Sequence, residues 1–147
     1  MGRLSEPAIR AATDADAAAI VRLIGELGYS VTEDEVRQRL PLIAGPGLHA
    51  LVAELDGAVV GCLTTSAMQV LHRRAPVGRI AMMVVADGLR GRGIGRFLVR
   101  AAEALLVADD CYMVEVTSNL ARPDAHRFYE GLGYERTSLR FAREPSA

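Results

Sequence analysis

A chain of 147 residues, 50% of them hydrophobic, is long enough to bury one core, so the sequence predicts a single domain over residues 1–147. A formal net charge of −1 provides no general attraction to nucleic acid or to an anionic membrane surface. We therefore expect neither of these among its partners. All 17 basic residues are arginine, so any anion site must be built from guanidinium groups and backbone amides.

Cysteine usage and hydropathy indicate the compartment. Cys62 and Cys111 both lie in apolar runs, where a thiol behaves as a small hydrophobic group, and no disulfide framework is expected. The N-terminus lacks the charged-then-apolar pattern of a signal peptide, and no apolar run approaches the length of a membrane span. These features predict a cytoplasmic protein.

The first forty residues predict two helices joined by a short link. Apolar residues recur at helical spacing from Ile20 to Leu27, and Gly28 follows the last of them. The run Thr32-Glu33-Asp34-Glu35 has the pattern of a capping box for a second helix, which Pro41 ends.

The middle of the chain predicts strands. Asp56-Gly57 is the dipeptide most favoured in a two-residue hairpin turn, so residues 48–55 and 58–68 are expected to pair antiparallel. Residues 69–77 have the composition of a loop. Residues 80–85 are apolar at both odd and even positions, which is typical of a central strand covered on both faces.

The C-terminal third predicts a helix over residues 94–106, a strand over 112–117, a short helix from Pro123 to about Gly133, and a closing strand over 134–142. The strand-helix-strand unit from 80 to 117 favours parallel pairing at the centre of the sheet. The predicted fold class is α/β (α+β), with a mixed, mostly antiparallel sheet of six to seven strands and about four helices on both faces.

A glycine-rich turn, Arg90-Gly91-Arg92-Gly93-Ile94-Gly95, lies between the apolar strand and the helix that follows. The first amides of a helix have no intrahelical partners, and glycines let a phosphate approach them closely. Two common nucleotide motifs are excluded. A P-loop requires a lysine, which the chain lacks, and the dinucleotide fingerprint requires glycine where Arg96 stands.

The remaining pattern, Arg-x-x-Gly-x-Gly at Arg90, Gly93 and Gly95, resembles the GNAT superfamily of acyl-CoA N-acyltransferases. A second match lies downstream, where Phe128-Tyr129 is followed by Leu132-Gly133-Tyr134, as in the C-terminal helix and strand of that superfamily. Val116-Thr117-Ser118-Asn119 resembles the end of the intervening strand. The matches extend over about residues 80–134 in the expected order.

The resemblance implies acetyl-CoA as the co-substrate and no metal. Backbone groups of Met83, Val84 and Val85 are expected to meet the pantetheine arm. Asn119 is expected to contact the cofactor or an ordered water, although an Asx turn explains the same residue. The pyrophosphate is expected to meet the turn and its flanking arginines, namely Arg90, Gly91, Arg92, Gly93, Ile94, Gly95 and Arg96.

The same resemblance assigns catalytic roles. Tyr129 stands where the superfamily usually carries the acid that protonates the leaving thiolate; the alternative is a tyrosine whose ring anchors the helix in the core. Many members place a carboxylate in the strand that corresponds to residues 80–85, and here that strand has none. Glu115 shares strand parity with Asn119 and is the candidate base, but a solvated or ion-paired carboxylate and a water chain are alternatives.

The histidines predict no metal site, because His49, His72 and His126 are widely separated and lack ligand partners at the required spacing. A nucleophilic pair of Cys111 and His126 has no activating surroundings in the sequence. Direct attack by the acceptor is therefore preferred to an acyl-enzyme.

The sequence thus predicts an N-acetyltransferase that moves the acetyl group of acetyl-CoA directly to a primary amine of a small molecule or peptide. The alternative is a non-catalytic acyl-CoA-binding sensor or regulatory module, which the missing carboxylate motivates. The resemblance implies that residues 14–40 and 69–77 form much of the acceptor side, where Tyr29, Arg73 and Arg74 are candidates. Dimers are common in the family, so a homodimer is the expected assembly.

Overall fold

A computed structural model of the protein describes residues 5–118 and 122–146. These residues group into two compact units, divided after Glu115. Five strands form one sheet in the order β1-β2-β3-β4-β5, with bounds Ala8–Ala11, Ala50–Leu55, Ala58–Met68, Val77–Val85 and Met113–Val116. The helices α1 to α4 cover Ala17–Glu26, Glu33–Arg39, Ile94–Ala108 and Pro123–Gly131.

The sheet is mixed. Strands β1 to β4 pair antiparallel in chain order. Beside β4, the amide of Tyr112 donates to the carbonyl of Pro76 at 3.2 Å, and the side chain of Arg79 donates to Glu115 at 2.6 Å. Residue 112 contacts residue 76, and residue 115 contacts residue 79. Because the residue numbers of the two strands increase in the same direction, β5 runs parallel to β4. The prediction of a mixed, mostly antiparallel sheet is confirmed.

The capping box and the hairpin turn predicted from short sequence motifs are both present in the structure. The amide of Glu35 donates to Thr32 Oγ1 at 3.1 Å, and the amide of Thr32 donates to Glu35 Oε1 at 3.0 Å, which completes the capping box of α2. Between β2 and β3, Asp56 and Gly57 have φ values of +51° and +82°, as a two-residue hairpin turn of type I′ requires.

Helices cover both faces of the sheet within residues 5–115. On one face, α1 and α2 pack through Ile20, Leu23 and Val36 against one row of strand residues: Val52, Cys62 and Val84. The next row points to the opposite face, since successive strand residues alternate. There α3 packs closely on glycines: a Cβ built at Gly61 would lie 3.0 Å from Leu98 Cδ1.

The predicted number of strands, six to seven, is wrong for the described residues, which contain five. The closing strand predicted over residues 134–142 is absent, because residues 134–146 adopt neither helix nor strand. Its apolar side chains Leu139 and Phe141 are 70% and 89% exposed, so no neighbouring element of the described residues covers them. Conversely, β1 was not predicted, since four residues with one large apolar side chain, Ile9, carry no period-two signal.

A partly buried ion pair connects β1 to the turn before α1. Asp16 is 5% exposed, and Arg10 donates to its two carboxylate oxygens at 2.8 and 2.9 Å. The amide of Thr13 donates to the same carboxylate at 2.8 Å. The guanidinium of Arg10 keeps the pKa of Asp16 below its ordinary value, with a further contribution from the Thr13 amide.

The variant Asp16→Asn is expected to lose about 2 kcal/mol of unfolding free energy at neutral pH, because it leaves Arg10 without its buried partner. Since the pKa of Asp16 is lower in the folded than in the unfolded chain, the pair's contribution is complete above the unfolded value of about 4 and disappears as the pH falls through the folded value. Urea unfolding of both proteins at neutral and at strongly acidic pH measures this difference.

The matched control is Asp34→Asn, whose carboxylate is exposed and pairs with Arg37 at 3.2 Å. It is expected to change the unfolding free energy by less than about 0.5 kcal/mol. Equal stability of Asp16→Asn and the wild type at neutral pH would contradict the assignment.

None of the helices in residues 5–118 and 122–146 combines the length and the hydrophobicity that a membrane-spanning helix requires.

Candidate active site

The glycine-rich turn joins β4 to α3 and presents open backbone. Gly93 is the N-cap of α3 and has a φ of +83°, a left-handed conformation that favours glycine. Beyond its immediate chain neighbours, a Cβ built at Gly93 or at Gly91 would have no atom of the described residues within 4 Å. The space over this backbone is therefore open, and a side chain at either position would enter it.

The start of α3 lacks the groups that usually complete a helix. Within the described residues, no side chain caps it, and its first turn contains no acidic residue. The first recorded bond of the helix is the amide of Phe97 to the carbonyl of Gly93 at 3.1 Å. By contrast, α2 is capped by its own Thr32 and Glu35. The amides that precede Phe97 are thus available for an external anion.

Three arginines flank this turn, and they differ in exposure and in their contacts. Arg90 bends back, with Nε 3.4 Å from the carbonyl oxygen of Val85 and one guanidinium nitrogen 3.8 Å from the carboxylate of Asp87. Arg92 and Arg96 are exposed, and no ion pair of either is recorded among residues 5–118 and 122–146. These two guanidinium groups are available for phosphate oxygens.

Strand β4 carries a β-bulge before its last residues. Thr64 pairs with Met82 while Thr65 pairs with Ile80, which leaves Ala81 as the extra residue. Bulges of this kind interrupt strand pairing and often lie next to active sites. The contacts between the β4 and β5 segments involve Pro76 and Arg79. Residues 82–85 lie further along β4, so these contacts do not involve their main chain.

The side chains of the predicted arm-binding residues belong mainly to the core. Val84 and Val85 are 3% and 9% exposed, and Met83 is half-buried. A ligand beside β4 would therefore meet the main chain of these residues. This is the kind of contact that one strand makes with the next.

Glu115, the candidate base, is held by a guanidinium. Nε and a terminal nitrogen of Arg79 donate to the same oxygen, Oε1, at 3.0 and 2.6 Å. Both side chains are about one-third exposed. An ion pair across neighbouring strands explains the carboxylate without a catalytic role, and the role of base stays a prediction.

Tyr129 lies in α4, in the C-terminal unit. Its ring meets those of Phe128 and Tyr134 edge to face, with centroids 5.0 and 5.8 Å apart. Burial raises the pKa of Tyr129 to about 12. The phenol therefore keeps its proton throughout the physiological range. Asn119, expected to contact the cofactor, lies outside the described residues.

The other nucleophiles and ligands form no further catalytic set. His49 Nε2 lies 2.6 Å from Asp109 Oδ2, and no group of three or more metal-ligating side chains is found in the described ranges. Cys62 and Cys111 are buried free thiols. Burial raises the pKa of Cys62 to about 12 and also raises that of Cys111, which opposes thiolate chemistry at either residue.

A separate cleft of about 700 Å³ lies between β1, residues 40–51 and the C-terminal half of α3. Its lining is apolar except for Arg10 and His49. Both are already engaged, Arg10 with Asp16 and His49 with Asp109. The cleft offers no unused charged group, and none of residues 90–96 lines it, so it is not the candidate site.

Sequence reasoning missed two residues near the site. Glu26, the last residue of α1, accepts a hydrogen bond from the amide of Asp87 at 2.7 Å. A carboxylate in the last turn of a helix opposes the helix dipole, and that unfavourable placement was the available signal. Arg79 is the partner of Glu115, and its signal was a single charge within an otherwise apolar strand.

Comparison with known proteins agrees with this geometry. Residues 17–134 match the profile of the acetyltransferase (GNAT) family. The chain is 31% identical over 140 residues to an aminoalkylphosphonate N-acetyltransferase of Salmonella typhimurium, covering 92% of this chain and 89% of the relative. It is 30% identical over 155 positions to an aminoglycoside N(6′)-acetyltransferase type 1 of Stenotrophomonas maltophilia, covering 97% and 98%.

A solved structure from Agrobacterium tumefaciens strain C58, assigned as an acetyltransferase, superposes with a TM-score of 0.82 at 29% identity. The alignment covers 94% of this chain and 99% of that one. The chain belongs to the acetyltransferase (GNAT) family, which confirms the resemblance found in the sequence. It is therefore an acyl-CoA-dependent N-acetyltransferase.

Proposed function

We propose that residues 1–147 form one N-acetyltransferase-like domain that transfers the acetyl group of acetyl-CoA to a primary amine of a small molecule. The observation that carries the proposal is that the start of α3 is uncapped and directly follows an open, glycine-rich turn. Two further expectations, a cytoplasmic location and a homodimer, rest on the sequence alone and stay predictions.

The residues present fit the diphosphate of coenzyme A. The amides at the start of α3 provide donors at the positive end of the helix dipole, and Arg92 and Arg96 add exposed guanidinium groups. The open space over Gly91 and Gly93 admits phosphate oxygens close to the backbone. The main chain of Met83, Val84 and Val85 is proposed to bind the pantetheine arm as a neighbouring strand would.

The thioester supplies an activated acetyl group, and its transfer forms one C–N bond and breaks one C–S bond. A proton must leave the amine nitrogen, and another must reach the departing sulfur. Tyr129 is proposed to donate the second proton, because it stands where the resemblance places the acid and its half-buried phenol is protonated at neutral pH. Asn119 is proposed to contact the cofactor. For the first proton, Glu115 is the candidate acceptor, with bulk water as the alternative.

The acceptor class is proposed from the two relatives, which are named for aminoalkylphosphonates and aminoglycosides. Both classes are small molecules with a primary amine. The loop between β3 and β4 adds a cationic surface: Arg73 lies 3.3 Å from the hydroxyl of Tyr112, and the guanidinium of Arg74 lies 4.4 Å from the ring centroid. We therefore expect an amine that also carries an anionic group to be the better acceptor.

An assay of free thiol release tests the proposal. Purified protein with acetyl-CoA is expected to release CoA when an aminoalkylphosphonate is added, and to release less with an aminoglycoside or a peptide amine. The matched control is an alkylphosphonate without the amine, which is expected to give no release. Saturable acetyl-CoA binding with no acceptor-dependent thiol across the panel would instead support the sensor.

A further inference from the structure

The carboxylate of Glu26 joins the first helix to the turn that follows β4. Glu26 Oε1 accepts the amide hydrogen of Asp87 at 2.7 Å. The two residues lie 61 positions apart in the chain. Asp87 precedes the Arg-x-x-Gly-x-Gly pattern by three residues, so the contact is made where the chain leaves the sheet and begins the anion-binding turn.

Few other hydrogen bonds hold this turn to the rest of the molecule. The amide of Ala86 donates to the carbonyl of Val60 at 2.8 Å, which continues the pairing of β4. The amide of Leu89 donates to Ala86 at 3.1 Å, and Arg90 contacts Val85 and Asp87, all within the segment itself. Among the hydrogen bonds recorded for the described residues, Glu26 is the side chain from another element that holds the backbone of residues 86–93.

The helix that carries Glu26, α1, is packed tightly against the sheet. Helix α1 packs against the sheet through Ile20 and Leu23, which are 4% and 2% exposed. Glu26 ends the same helix, where a negative charge is unfavourable with respect to the helix dipole. The charge-assisted bond to the Asp87 amide offsets that cost. A residue that breaks a local rule of helix design often does so for function.

We propose that Glu26 is a positioning residue for the cofactor turn: it fixes the exit of β4 so that the amides at the start of α3 face the diphosphate of coenzyme A. This inference rests on the proposed function. The role requires an oxygen acceptor at position 26 and does not require its charge. The charge itself opposes a bound diphosphate.

Two substitutions separate the acceptor from the charge. Glu26→Gln keeps an acceptor oxygen on a side chain of the same length and removes the negative charge, so it is expected to bind CoA as tightly as the wild type or more tightly. Glu26→Ala removes both and is expected to weaken CoA binding about fivefold, the effect of losing one ordinary hydrogen bond at an exposed position. Only the alanine variant is thus expected to bind CoA less tightly than the wild type.

Calorimetric titration of the full chain with CoA measures these affinities. Urea unfolding is expected to change little for either variant, since the bond is exposed. Amide hydrogen exchange is expected to accelerate at residues 86–93 in Glu26→Ala and to stay unchanged within α1. The control Glu33→Ala removes an exposed carboxylate of α2, paired with Arg37, and is expected to leave CoA binding at the wild-type value.

Weaker binding by Glu26→Ala together with unimpaired binding by Glu26→Gln supports the proposal. Equal affinities of the wild type and Glu26→Ala would overturn it while leaving the proposed function intact. Tighter binding by both variants would also overturn it, because the carboxylate would then act only by repulsion. Failure of the wild type itself to bind CoA would overturn the proposed function and this inference together.

Discussion

Replacement of Tyr129 by phenylalanine is expected to lower kcat by about 100-fold or more with an identified acceptor, because the departing thiolate loses its proton donor. The KM for acetyl-CoA is expected to change little, since the hydroxyl acts on the reacting sulfur and the ring still packs against Phe128 and Tyr134. Steady-state kinetics of the wild type and Tyr129→Phe provide the comparison.

The neighbouring phenol provides the matched control. Tyr134→Phe removes an identical hydroxyl from a ring 5.8 Å away and is expected to retain most of the wild-type kcat. The pH dependence adds a second criterion. Because the pKa of Tyr129 is raised to about 12, its protonated form persists above pH 10, and kcat should show no fall near the ordinary tyrosine value of about 10. Equal kcat values for Tyr129→Phe and the wild type would exclude the acid role.

Gly93→Ala is expected to weaken CoA binding at least about tenfold. Gly93 has a φ of +83°, which alanine adopts only with strain, and the added Cβ would project into space that the protein leaves empty. The steric conflict therefore falls on the ligand. Calorimetry with CoA measures the affinity, and urea unfolding separates it from the loss of stability, expected at about 1 kcal/mol.

Gly57→Ala is the control for strain alone. Gly57 has nearly the same φ, +82°, and a Cβ there also meets no atom within 4 Å beyond its immediate chain neighbours. It lies in the hairpin turn between β2 and β3, outside residues 86–96, so the variant is expected to lose similar stability and to retain CoA binding. Equal affinities of Gly93→Ala and Gly57→Ala would contradict the placement of the diphosphate at Gly93.

Much of the fold follows from signals that act over a few residues. The capping box of Thr32 and Glu35 and the hairpin turn at Asp56 and Gly57 each depend only on neighbours in the chain, so both were predictable. The glycine-rich turn belongs to the same class, because its open backbone follows from the glycines themselves. Each of these elements was predicted correctly.

Features that depend on distant partners were not predictable. The bulge at Ala81 arises from the register between β3 and β4, and the apolar pattern of β4 is the same with or without it. The pairing of Glu115 with Arg79 requires the register of two strands separated by α3. The absence of a strand over residues 134–142 is a related case, since a suitable pattern forms a strand only where a neighbour can pair with it.

The uncapped start of α3 also affects the stability of the folded protein. Any anion held there binds the native chain and not the unfolded one, so it raises the melting temperature in proportion to the logarithm of its concentration. At 100 times its dissociation constant, such a ligand adds about 2.7 kcal/mol. Resistance of this enzyme to heat and proteolysis would then depend on the supply of its acyl carrier.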